Sequence, residues 1–134
     1  MKKTLLLVED NLAHAELIKR SLERVELDIE THHVTDGEEA LEFIKTKMCP
    51  HLILLDLKLP KLSGKSVLKY LKNHELFKKI PVVILTTSIS SDDIKEAYLN
   101  YANSYLVKPA NFIEFQKMIE KTCNYWLKCN LLPW

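Results

Sequence analysis

Leu52-Ile53-Leu54-Leu55-Asp56, residues 52–56, is the stretch that decides the fold. Four apolar residues in a row with no polar alternation fit a strand buried on both faces, as a parallel sheet covered by helices requires. The run is short for a helix and stops at a carboxylate. Three further runs behave alike. Leu5–Val8 stops at Glu9-Asp10, Val82–Leu85 at Thr86, and Tyr105–Val107 at Lys108-Pro109. In a parallel sheet all these polar residues emerge at one carboxyl edge, where open α/β sheets build their sites.

Between the runs lie segments of helical period. Asn11 caps a first helix whose inner face reads Leu12, Ala15, Ile18, Leu22 and Val25. Ile29–Val34 alternates and reads as a half-exposed edge strand. Asp36-Gly37 turns the chain into a second helix burying Ala40, Leu41 and Ile44, and a third runs from Gly64 to Asn73 on Val67, Leu68 and Leu71. Ser91 before Asp92 and Asp93 supplies a capping hydroxyl and acids at the positive end of a fourth helix. Asn111 caps a long fifth helix, with Phe112, Phe115, Met118, Ile119 and Trp126 at helical spacing. Five strands alternating with five helices predict an α/β fold: a doubly wound, five-stranded parallel sheet of order 2-1-3-4-5. That order sets Glu9-Asp10 beside Asp56.

The bulk composition narrows the class. A chain of 134 residues with 47% hydrophobic content supports one domain with a real core. Net charge is +1, so no basic surplus points to nucleic acid. No apolar run approaches the roughly 18 residues that span a bilayer. The opening MKKTLLLVEDN resembles a signal peptide only until Glu9 interrupts it, so a cytoplasmic protein is expected. Cys49, Cys123 and Cys129 are odd in number and lack CxxC spacing, which favours free thiols. The five histidines show no ligand spacing and are expected to be solvated.

The strand ends themselves carry the chemistry. Carboxylates packed together remain ionised only if a cation offsets their repulsion. All-oxygen ligands with room for water suit Mg²⁺. A carboxylate is a weak nucleophile, yet it forms an acyl phosphate when the donor is positioned and its charge neutralised. Asp56 is central and is the candidate nucleophile; Thr86 can donate to one phosphoryl oxygen, and the Lys108 ammonium can pair with another.

With these features the chain resembles the receiver domain of two-component response regulators. The likeness rests on VED at Val8–Asp10, LLDLKLPKLSG around Asp56, Gly64, LTTS at Leu85–Ser88 and YLVKP at Tyr105–Pro109. It implies a flavodoxin-like (βα)5 fold over residues 1–127, and an Asp56 that accepts phosphate from a histidine kinase's phosphohistidine. It implies Mg²⁺ held by Glu9 (through water), Asp10, Asp56 and the backbone carbonyl of Lys58. It also implies that Thr86 and Tyr105 form a switch pair and that the Lys108-Pro109 peptide is cis. Such a protein is a phosphoacceptor that assists its own phosphorylation and dephosphorylation rather than an enzyme.

Two neighbours depart from the family's common pattern. Lys58 stands two residues after the phosphoacceptor, where it is expected to alter the lifetime of the phosphoryl group. Thr87 follows the switch threonine, where its bulk is expected to narrow access. Before strand 5, Asn103 is expected to supply a left-handed turn. Residues 128–134 form an apolar tail with no output domain after it, which points to a stand-alone regulator. Trp126, Leu131, Leu132 and Trp134 either fold back over the core or join a homodimer across helix 4, strand 5 and helix 5. The tail and LTTS segment look most like the single-domain regulators of cyanobacterial phytochrome kinases. A haloacid-dehalogenase-type phosphatase would want a second Asp where Lys58 stands, and a flavin module would want a Ser/Thr/Gly-rich loop in place of Glu9-Asp10-Asn11. An unphosphorylated pseudo-receiver fits the intact site residues poorly.

Overall fold

The computed structural model describes residues 2–134; Met1, which opens the expected domain, lies outside the described residues. Strands β1 (Lys3–Val8), β2 (Ile29–Val34), β3 (Leu52–Leu55), β4 (Val82–Thr86) and β5 (Ser104–Val107) alternate with five helices. These are α1 (Leu12–Glu23), α2 (Gly37–Thr46), α3 (Gly64–Lys72), α4 (Ser91–Leu99) and α5 (Phe112–Asn124), the last continued by a π-helical turn, Tyr125–Cys129. All strands pair in parallel in the order β2-β1-β3-β4-β5, as the sequence predicts.

The apolar runs divide residue by residue between two cores, because successive side chains of a strand point to opposite faces. Leu5, Leu7, Leu52, Leu54, Val83 and Leu85 face α1 and α5, packing on Ile18, Phe115 and Ile119. Leu6, Val8, Ile53, Leu55, Val82 and Ile84 face α2, α3 and α4, packing on Ile44, Val67 and Leu68. The three central strands are buried almost end to end and the two edges half-buried, as their compositions foretell. No helix among the described residues is long and apolar enough to cross a membrane.

Several local expectations shift. Asn11, Asp36 and Asn111 cap their helices, but α4 is capped by Ser90 rather than Ser91: the Ser90 side chain accepts from the Asp93 N–H. Leu12 is 70% exposed, although Ala15, Ile18, Leu22 and Val25 are buried. The buried row of the fifth helix is Phe115, Ile119, Cys123 and Leu127; Phe112 is 54% exposed, and Met118 and Trp126 only flank the core. Leu12 and Phe112 are the first residues of their helices, where the helical period alone does not decide burial. The left-handed residue before β5 is Tyr101, not Asn103. Tyr101 closes α4 with its N–H on Tyr98 O, and the Ala102 N–H reaches Ala97 O, a Schellman closure. Asn103 instead lends its side-chain oxygen to the Val82 N–H at 2.8 Å and to Lys72 Nζ at 3.0 Å. Lys108-Pro109 is trans, as is every peptide bond among the described residues. An X–Pro bond has little intrinsic preference between isomers, so the residue pair does not decide the matter.

The tail turns under the sheet. The Trp134 ring stacks on His51 at 6.4 Å between centroids, and Lys79 Nζ lies 5.7 Å from the same ring. His51 and Lys79 precede β3 and β4, so the chain end sits at the amino edge, opposite the charged strand ends. Leu131 takes no part in this packing and is 91% exposed.

Candidate functional site

The sheet's hydrogen-bond ladder runs one residue past the strands. The Glu9 N–H donates to Val34 O at 3.1 Å, the Asp56 N–H to Val8 O at 3.1 Å, and the Lys108 N–H to Thr86 O at 2.7 Å. The backbones of three predicted site residues are thereby fixed to neighbouring strands at the carboxyl edge.

Their side chains converge. Buried Lys108 Nζ donates to Glu9 Oε1 at 2.6 Å and to Asp56 Oδ2 at 2.9 Å. Asp56 Oδ1 accepts from the Lys58 N–H at 3.2 Å, and Glu9 Oε2 from the Asn11 N–H at 3.1 Å. Exposed Asp10 completes the cluster: one carboxylate oxygen each from Glu9, Asp10 and Asp56 lies within 4.8 Å of the others. Burial pushes the Glu9 carboxyl up to about 7, against the pull of the Lys108 ammonium. Three carboxylates facing one ammonium leave excess negative charge, and an all-oxygen donor set fits a hard divalent cation such as Mg²⁺. Glu9, Asp10 and Asp56 are the side chains that would hold it.

Gly64 has a steric reason. An ideal Cβ there would lie 2.0 Å from the Asp56 carbonyl oxygen and 2.6 Å from Leu57 Cα. The Gly64 N–H donates to Leu57 O at 2.9 Å, so the start of α3 is seated directly on the backbone of Asp56 and Leu57. Gly37 is comparably tight against the Leu62 carbonyl, at 2.1 Å.

Thr86 and Tyr105 are joined through a residue that the sequence did not single out. Buried Thr86 accepts weakly at Oγ1 from the Ser88 N–H, at 3.4 Å, and the Tyr105 hydroxyl donates to Ser88 O at 3.0 Å. Burial raises the Tyr105 phenol above its ordinary range. Ser88 Oγ donates to Asp93 Oδ2 at 2.6 Å, and Lys65 clasps Asp93 at 2.8 Å and Glu96 at 3.1 Å. The β4–α4 loop is thus tied to α3 and α4. Lys58 and Thr87 are exposed beside the site.

Contrary to expectation, the histidines are not simply solvated. His14 Nδ1 lies 3.0 Å from Lys108 Nζ, and His33 Nε2 donates to the Glu9 carbonyl at 2.8 Å. His51 Nδ1 accepts from the Thr4 N–H at 3.0 Å. Burial, then the Lys108 charge, lowers the His14 pKa. The signal available in the sequence was positional: His14 lies one helical turn beyond Asp10, and His33 pairs in register with Leu7, near the end of β1.

The chain is similar to known proteins in sequence and in fold. The pattern of the response regulator receiver domain matches residues 5–120. The probable methanogenesis regulatory protein FilR2 of Methanothrix harundinacea is 43% identical, over 96% of this chain and 86% of its own length. Response regulator Rcp1 of Synechocystis is 38% identical, over 98% of this chain and 93% of its own. The crystal structure of the phosphorylated cyanobacterial phytochrome response regulator RcpA superposes with a TM-score of 0.96 at 37% identity, covering all of both chains. The Mn²⁺-bound form of Rcp1 superposes with a TM-score of 0.92 at 38% identity, covering 98% of this chain and 99% of its own.

Proposed function

This chain belongs to the response regulator receiver family, and from that premise we propose that it is a phosphorylation-driven switch of a two-component system. In the proposed reaction an Asp56 carboxylate oxygen attacks the phosphorus of a kinase phosphohistidine. The new P–O bond forms as the P–N bond breaks and the kinase imidazole leaves. Asp10, Asp56, the Lys58 backbone carbonyl and, through water, Glu9 would hold Mg²⁺, which would supply charge neutralisation between donor and carboxylate. Thr86 and Lys108 bind phosphoryl oxygens, and Tyr105 follows Thr86 as the switch partner. The observation carrying this reading is Lys108, buried and bonded to both Asp56 and Glu9 at the carboxyl edge.

The proposal extends to partners. The kinase is phytochrome-like, a reading supported by the likeness to RcpA, which is named as a cyanobacterial phytochrome response regulator. The 43% identity to FilR2 favours a second reading, a kinase serving a regulator of the methanogenesis regulatory type. The output is a protein surface in the cytoplasm, a homodimer across α4, β5, α5 and the tail. Ile89, Leu99, Tyr101 and Ile113 offer exposed apolar area there. The decisive test is beryllofluoride, a phosphoryl mimic, with Mg²⁺. Wild type should bind it and Asp56→Asn should not; binding that survives Asp56→Asn overturns the assignment. Phosphotransfer from a panel of kinases then separates the two partner readings.

A further inference from the structure

Lys108 makes three contacts, and the phosphoacceptor reading uses only two. An ammonium has three N–H donors and no acceptor. Two point to Glu9 Oε1 and Asp56 Oδ2; the third contact is His14 Nδ1 at 3.0 Å. The side chain of Lys108 is 3% exposed, so an N–H without a partner would lack water to replace it. Because the ammonium can only donate, His14 Nδ1 must accept, which fixes the ring proton on Nε2.

The ring is held from several sides. The Asn11 side chain accepts from the His14 N–H at 3.0 Å, which locks the first turn of α1. Phe115 of α5 lies 6.2 Å away between ring centroids, tilted by 44°. His14 is therefore presented by the α1–α5 layer, whereas Glu9 and Asp56 come from the sheet. We propose that His14 is a positioning residue for Lys108, holding the ammonium in register with the phosphoryl group through a neutral lone pair; this rests on the reading of Asp56 as the phosphoacceptor. Two carboxylates alone pull the ammonium toward the metal side of the site. A neutral acceptor on the far side fixes its direction without adding charge. It also keeps one N–H satisfied while the bond to Asp56 is exchanged for one to a phosphoryl oxygen.

The experiment has two arms on the full chain. Nitrogen-15 NMR of histidine-labelled wild type should show His14 with an unprotonated Nδ1, whose resonance moves in Lys108→Met. A ring protonated on Nδ1 at neutral pH overturns the inference without any variant of His14. In the second arm beryllofluoride with Mg²⁺ is titrated into folded variants, their melting checked first. His14→Met should bind about tenfold more weakly, the scale of one buried donor left unpaired. His14→Gln, which keeps an acceptor oxygen, should recover most of the loss. Equal affinity for wild type and His14→Met overturns the inference, as does a glutamine variant as weak as the methionine one. Failure of wild type to bind, or binding by Asp56→Asn, sinks the phosphoacceptor reading instead, and the ring tautomer distinguishes the two failures.

Discussion

Replacing Gly64 by alanine probes the link between helix packing and the phosphoacceptor. The added Cβ would sit 2.0 Å from the Asp56 carbonyl oxygen, 2.6 Å from Leu57 Cα and 2.9 Å from the Asp56 carbonyl carbon. Ordinary heavy-atom contact needs roughly 3.5 Å, so backbone must part by about 1.5 Å. Overpacking of this kind costs about 1–3 kcal/mol. Gly64 does not have a positive φ, so alanine also recovers about 0.4–1 kcal/mol from the stiffened unfolded chain. The net expectation is a loss of about 1–2 kcal/mol, or roughly 3–8 °C in melting temperature for a chain of this size. The displaced atoms belong to Asp56 itself, so beryllofluoride affinity should fall even where the variant is fully folded. Gly37→Ala is the control: its Cβ meets Leu62 O at 2.1 Å, in the β3–α3 loop rather than at Asp56. It should lose comparable stability and keep more of the affinity. Thermal unfolding with calorimetric titration reads both quantities. A Gly64→Ala protein with wild-type stability and affinity, or a Gly37→Ala protein that loses affinity equally, refutes the reasoning.

Other expectations follow from single observations. Burial raises Glu9 from 4.5 to about 7, so the folded chain holds this proton more tightly than the unfolded chain does. The associated stability is fully present below about pH 4.5 and is lost as pH rises through about 7. Mg²⁺ requires the ionised form, so its affinity should fall from about pH 8 to about pH 6, with proton release on binding in calorimetry; a flat profile contradicts this. Thr87 is exposed at the rim, so Thr87→Ala should be phosphorylated faster than wild type by acetyl phosphate, and equal rates reject the crowding argument. Removing residues 128–134 should convert the proposed dimer to a monomer by solution mass, whereas an unchanged mass counts against the tail's part in it. The same truncation removes Trp134 from His51 and Lys79, so it should cost about 1 kcal/mol in urea unfolding.

The sheet was legible because its signal is local. Runs such as Leu52–Leu55 and Val82–Leu85 are apolar on both faces, and only a covered parallel sheet uses both. Strand order followed once right-handed crossovers were assumed, and with it the meeting of Glu9, Asp10, Asp56 and Lys108. What escaped depends on phase or on tertiary geometry. Phe112 shares a face with Phe115, Ile119 and Cys123 by helical period, yet it is the first residue of α5 and stays 54% exposed, which period alone does not reveal. Ser90 and Ser91 are equally good caps in sequence, and only the chain path selects Ser90. Tyr101 adopts a left-handed conformation that asparagine would take more cheaply, because the Schellman closure falls at that residue. His14 and His33 lacked ligand spacing and so looked inert; their partners are a lysine 94 residues away and the backbone carbonyl of Glu9, just past the end of β1.

The contacts of Lys108 also indicate which bond the proposed switch must break. With Asp10 and Asp56 ionised and Lys108 charged, the cluster is net negative whether or not Glu9 holds its proton. A divalent cation offsets that charge and an incoming phosphoryl group restores it, so each favours the other, and the coupling is reciprocal. Formation of an acyl phosphate would remove the charge of Asp56 and move negative charge outward onto the phosphoryl oxygens. The 2.9 Å bond from Lys108 to Asp56 Oδ2 then loses its electrostatic reason, while the 2.6 Å bond to Glu9 and the 3.0 Å contact with His14 keep theirs. On the proposed reading Lys108 would pivot rather than travel: two of its three partners would stay, and the third would pass from carboxylate to phosphoryl oxygen. A pivot of this kind requires little backbone motion just past β5, where the Lys108 N–H is bonded to Thr86 O at 2.7 Å. The displacement reaching the surface must then arise from Thr86, Ser88 and Tyr105, where a 3.4 Å contact is the weakest link beside the site.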